Sequence, residues 1–127
     1  MTATTLNALT GIILFAHGSR DPLWKLPIEA VAQRIRERQP SVQVACAYLE
    51  LTTPDLPSVT ATLVSMGITS IRILPMFLGV GRHAREDLPV LLADLKTAHP
   101  QVQFELQAAV GENQRLIDLM AQIAIDP

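Results

Sequence analysis

A single cysteine, Cys46, stands among the 127 residues, which rules out an intramolecular disulfide. Aromatic residues make up only 4%, so the core has to be built from aliphatic side chains. Long hydrophobic runs are missing: the apolar stretch at residues 12–16 is far too short to cross a bilayer. The first residues lack the basic charge and extended apolar segment of a signal peptide, and a cytoplasmic location is the expectation. Charge of one sign is lacking too. Ten basic and twelve acidic residues leave a formal charge of −2, so overall charge attracts neither nucleic acid nor an anionic membrane. An anionic ligand must therefore meet local cations. Both the full Gly-x-Gly-x-x-Gly pattern and the Gly-Lys-Ser/Thr ending of nucleotide-binding loops are absent, which argues against a nucleotide fold.

What is present reads as one globular domain, with 49% hydrophobic and 17% charged residues. Four apolar runs rich in β-branched residues begin near Gly11, Val42, Ile71 and Val102, and a stretch of helical periodicity follows each. Ile28, Val31, Ala32 and Ile35 form the inner face predicted for the first helix. Thr53 is the expected N-cap of the second, with Pro54 at its first position and Leu56, Val59 and Leu63 turned inward. For the third, Asp87 is the expected N-cap and Leu88, Leu91, Leu92 and Leu95 the buried stripe, because Pro89 suits only a first turn. His83 then precedes that helix, in a loop or short turn. The fourth starts near Asn113 and turns Leu116, Leu119, Met120 and Ile123 inward. Alternating βα units imply a parallel sheet covered on both faces. The expected fold is a flavodoxin-like three-layer α/β/α sandwich with a four-stranded parallel sheet, spanning residues 11–127 after a tail at 1–10.

In such a fold the carboxyl ends of the strands share one edge. That edge carries His17, Gly18, Ser19, Arg20 and Asp21 after the first run, Glu50 to Thr53 after the second, and Met76 to His83 after the third. His17 and His83 can meet there, as two imidazoles suited to a divalent transition metal. Glu50 adds a harder oxygen ligand or a proton acceptor. Each has an ordinary alternative: a turn histidine, a surface loop histidine and a solvated strand-end acid. His99 sits at the end of the third helix, where the helix dipole accounts for it. Cys46 alternates with Val44 and Tyr48, as a small buried hydrophobe does. Trp24 and residues 76–78 belong to the crevice or to the core.

His-Gly-Ser-Arg-Asp-Pro at 17–22, Tyr-Leu-Glu with its following proline at 48–54, and Leu-Pro-Met-Phe-Leu-Gly-Val-Gly-Arg-His-Ala-Arg-Glu-Asp-Leu-Pro at 74–89 occur together in the appropriate βα units. In this combination the chain resembles the small class II tetrapyrrole chelatases, the sirohydrochlorin cobaltochelatases and their iron-inserting relatives. The resemblance implies a lyase that inserts Co²⁺, with Fe²⁺ or Ni²⁺ as alternatives, into sirohydrochlorin for cobalamin or siroheme synthesis. It needs no organic cofactor, the metal being a substrate. His17 and His83 match the metal-binding histidines and Glu50 the acid between them. Ser19, Arg20, Arg82 and Arg85, with Lys25 nearby, become partners for the carboxylates of the macrocycle. Longer relatives carry two such halves, so a homodimer is implied. The competing reading from another class is a non-catalytic carrier of metal or tetrapyrrole in the same crevice; a phosphate-handling enzyme would need a fuller anion cradle.

Overall fold

A computed structural model describes residues 6–127. The expectation of a loose tail at 1–10 falls outside it for residues 1–5, while residues 6–10 lead into the sheet. The Asn7 side chain accepts from the Leu9 N–H at 2.8 Å, and the Leu9 carbonyl accepts from Thr69 and Ser70. The elements follow in the order β1 (Thr10–Ala16), α1 (Leu26–Arg38), β2 (Gln43–Tyr48), α2 (Leu56–Ser65), β3 (Ser70–Pro75), α3 (Arg82–Ala98), β4 (Gln103–Leu106), a 3₁₀ turn (Val110–Glu112) and α4 (Gln114–Ile125). All strand pairs are parallel, in the order β2-β1-β3-β4. This is the three-layer α/β/α fold expected from the alternating pattern.

β1 is buried along its whole length, because it lies inside the sheet and is covered on both faces. Successive side chains point to opposite faces, so Ile13 and Phe15 join one core and Ile12, Leu14 and Ala16 the other. The first core is closed by Leu56, Val59 and Leu63 of α2 and by Ala84 and Leu95 of α3. Ile28 and Ala32 of α1 close the second.

Four local expectations are corrected. In α1, Val31 is 37% exposed, at the margin of a stripe that Ile28 and Ala32 dominate. The N-cap of α2 is Asp55 and not Thr53: the Asp55 carboxylate accepts the Ser58 N–H at 2.9 Å, whereas the Pro54 carbonyl is taken by the Tyr48 N–H. Hydrogen bonding to Ser58 holds the Asp55 carboxyl below its usual range. Next, α3 begins at Arg82, five residues before Asp87, with Gly81 as N-cap, and places Pro89 inside the helix. One missing backbone donor costs about 3 kcal/mol in an isolated helix. Here Leu88, Leu91 and Leu92 pack against the core and Leu95 lies within it, which outweighs the defect. Finally, α4 starts after Asn113 as expected, the Asn113 side chain accepting the Arg115 N–H, but none of its residues is buried. Its periodicity is helical, but its inner face is only partly covered, with Leu116 and Met120 half-buried and Leu119 and Ile123 exposed.

Candidate active site

Each of the first three strands delivers a segment of interest to the carboxyl edge of the sheet. Ala16 pairs with Tyr48 in the β1–β2 register, so the chain beyond Ala16 runs beside the chain beyond Tyr48. The contact continues past the strands: Leu49 N–H donates to the Ala16 carbonyl, and Glu50 N–H to the His17 carbonyl at 3.0 Å. Gly18 is where the two loops approach most closely. Its φ is +100°, and a Cβ there would overlap the Glu50 carbonyl oxygen, so only glycine fits. On the other loop Leu51 adopts a φ of 63°, a left-handed conformation that costs a non-glycine residue about 1 kcal/mol or more.

The imidazole of His17 is solvent-exposed, yet it is oriented. It stacks on Phe77 with ring centroids 4.2 Å apart and planes 28° from parallel. Phe77 is in turn buried against Phe15, at 6.1 Å between centroids. The metal-facing candidate therefore rests on an aromatic floor that continues into the core.

His83 is held otherwise. It lies in the first turn of α3 and not in a preceding loop, with its side chain exposed. Gly79 and Gly81 before it have open space where a Cβ would be, while Leu78 further back packs its carbonyl against Gly111. Glu50 is exposed on the strained turn after β2. Among the described residues no three His, Cys, Asp or Glu side chains form a cluster able to hold a metal ion. The structure thus brings His17 and the Glu50 loop side by side but assembles no closed three-ligand cage.

The candidate anion-binding groups differ in readiness. Arg20 is exposed and has no hydrogen bond or ion pair among the described residues. Arg82 is tied to Glu86 at 3.0 Å, an exposed pair that exchanges readily with another anion. Arg85 reaches the Val80 carbonyl at 3.5 Å, and Lys25 pairs with Glu29 at 3.5 Å. Ser19 is partly spent on the turn, its Oγ accepting the Asp21 N–H at 3.1 Å.

The sequence profile of the CbiX family matches residues 11–126. The chain belongs to the CbiX family. A sirohydrochlorin cobaltochelatase of Methanococcoides burtonii is 27% identical to this CbiX chain over 124 residues, 91% of the chain and 95% of that protein. The chloroplastic sirohydrochlorin ferrochelatase of Arabidopsis thaliana is 29% identical over 110 residues, 87% of the chain, which spans only 49% of that longer protein. Among solved structures, a Marinobacter aquaeolei VT8 protein described as a CbiX of cobalamin biosynthesis superposes with a TM-score of 0.79 at 31% identity, covering 92% of this chain and 95% of that one. The cobalt complex of the sirohydrochlorin chelatase SirB from Bacillus subtilis subspecies spizizenii shares the fold, with a TM-score of 0.77 at 20% identity, and the chain covers half of it, 50%.

Two residues of this CbiX chain carry roles that the sequence located but did not assign: Thr52 in the segment 50–53 at the sheet edge, and Phe77 in the segment 76–78 read as crevice or core. The Thr52 hydroxyl accepts the Ser19 N–H at 2.9 Å and donates to the Ser19 carbonyl at 2.7 Å, clamping the two loops together. Phe77 is the floor under His17. Neither has a local signal, because each acts on a residue far away in the chain. Cys46 is half-buried in β2, and burial followed by the Glu29 charge raises its thiol pKa, as suits a packing residue. His99 caps the end of α3, its N–H donating to the Leu95 carbonyl at 2.9 Å.

Proposed function

We propose that this chain inserts a divalent metal, cobalt before iron or nickel, into sirohydrochlorin, as a lyase of cobalamin or siroheme synthesis. The observation that carries the reading is the fixed, stacked His17 knit to the Glu50 loop at the carboxyl edge of a CbiX-family sheet. The names of the curated relatives, cobalto- and ferrochelatases of sirohydrochlorin, supply the substrate class.

The chemistry requires a metal ion partly stripped of water, and it releases two pyrrole protons as the metal takes their place among the four nitrogens. An open site with few protein ligands suits this, since a closed cage would retain the ion. In the proposed division of roles His17 receives the metal in a set orientation and His83, on the rim of α3, completes its capture. Glu50 ligates the ion or accepts a proton. Arg20, Arg82, Arg85 and Ser19 meet the macrocycle's carboxylates, joined by the first-turn amides of α3. The protein acts in the cytoplasm as a homodimer. No helix among the described residues is long and apolar enough to cross a membrane.

An anaerobic absorbance assay with sirohydrochlorin and Co²⁺, Fe²⁺ or Ni²⁺ tests the proposal. Catalytic acceleration over metal and macrocycle alone is expected, and His17→Ala or His83→Ala should each lower the rate by at least about 100-fold while His99→Ala changes it little. Glu50→Gln should slow it as well. Stoichiometric binding without turnover would identify a carrier instead, and equal losses at all three histidines would remove the site from the strand ends.

A further inference from the structure

The backbone around His17 is fixed from the β2 side, by the Glu50 N–H on its carbonyl and the Thr52 clamp on Ser19. Its ring is fixed from the other side of β1, by Phe77 just beyond β3. The outer torsion of a histidine side chain is broad, without sharp staggered wells, so an exposed imidazole with no neighbour turns freely. Stacked at 4.2 Å with planes 28° apart, the His17 ring takes its plane from Phe77. An imidazole nitrogen binds a metal through a lone pair lying in the ring plane, so that plane sets the direction from which an ion is taken.

Phe77 is itself held from two sides. Beside it the Met76 N–H donates to the Phe15 carbonyl of β1 at 2.7 Å. Opposite, the Phe77 carbonyl accepts the Gly111 N–H of the 3₁₀ turn at 3.0 Å, and a Cβ on Gly111 would overlap the next carbonyl, that of Leu78. Gly111 is not left-handed, unlike Gly18, so close approach and not backbone conformation calls for glycine there. Ala109, just before the turn, is buried in the same core as Phe77. Two successive carbonyls of the 77–78 segment thus bear on one residue between β4 and α4.

We propose that Gly111 and Phe77 are positioning residues: Gly111 seats the Phe77 segment, and Phe77 sets the plane in which His17 offers its nitrogen to the metal. The identity of the ion rests on the proposed function; the orientation of the ring does not. Proton NMR of the full chain reads that orientation, because the C–H protons of a ring stacked on a phenyl face are displaced upfield. Those of His17 should lie upfield of those of His83 and His99, and Co²⁺ without macrocycle is the probe of binding. Phe77→Leu should abolish the displacement and raise the Co²⁺ dissociation constant about tenfold, as loss of a support behind a metal-binding histidine does. Gly111→Ala adds no atom near His17, yet it should shrink the displacement and weaken Co²⁺ binding too. If that variant fails to fold, Val110→Gly, which loosens the turn without adding an atom, should have the same effect. His17 protons without displacement in the wild type, unaltered Co²⁺ affinity in Phe77→Leu, or an unmoved displacement in the turn variant would overturn the proposal. Wild-type His17 protons that ignore Co²⁺ would refute the proposed function, with the displacement still deciding whether Gly111 and Phe77 orient the ring.

Discussion

His17 and His83 reach the same edge of the sheet but are held in different ways. The segment carrying His17 leaves a fully buried strand and is stitched to its neighbour by the Glu50 N–H, by both bonds of the Thr52 hydroxyl and by the close approach at Gly18. His83 rides on the exposed first turn of α3, reached through glycines with free space around them. Moving the first histidine breaks several hydrogen bonds; moving the second breaks few. Under the proposed function, one histidine fixed and one adjustable would suit a site that admits a large planar ligand and then closes on a small ion.

The sharpest way to break this contrast is at Gly18. Gly18→Ala forces a side chain onto the Glu50 carbonyl in a left-handed conformation, and a loss of about 3 kcal/mol in urea unfolding is expected, together with turnover. Unchanged stability would mean that the two loops are not locked. Removing the clamp should cost less: Thr52→Val leaves the Ser19 N–H and carbonyl without their partner, about 2 kcal/mol. Thr52→Ser keeps the hydroxyl and should recover most of the loss, so an equal deficit in both variants would credit the methyl group instead.

A gain is expected beside the locked loop. Tyr48 is 2% exposed, and among the described residues its hydroxyl has no sound hydrogen bond beyond a weak contact with the Cys46 thiol. Tyr48→Phe should therefore stabilise by about 1 kcal/mol at neutral pH. Burial, and then the neighbouring Cys46, pushes the phenol up to about 12. The folded chain thus keeps a proton that the unfolded chain gives up near pH 10. This contribution to stability is complete below pH 10 and is lost as the pH rises toward about 12. Phenylalanine should remove that alkaline loss, and identical alkaline unfolding of both proteins would assign it elsewhere. The smallest effect belongs to the adjustable side: Gly79→Ala meets no atom and should change stability by less than about 0.5 kcal/mol. A large loss there would show His83 to be as tightly held as His17.

Much of this was legible in the residues themselves. The β-branched runs marked the starts of four strands to within a residue, since a half-buried pleated surface selects for them locally. Helical periodicity identified the covering stripes of α2 and α3 because each stripe had a sheet to meet. Parallel strands end together, so the sequence alone assigns the motifs containing His17, Glu50 and His83 to one edge. The boundaries at Asp55 and Arg82 were less visible, because a cap depends on where a carboxylate reaches and a proline is tolerated when packing outweighs its missing donor. Strand register was the larger unknown. Only the pairing of Ala16 with Tyr48 sets Thr52 against Ser19, 33 positions away, and only the packed core slides Phe77 under His17. The apolar face of α4 shows the same division. Its spacing comes from the chain alone, but periodicity records that a face is apolar and not what covers it, which is decided where separate elements meet in space.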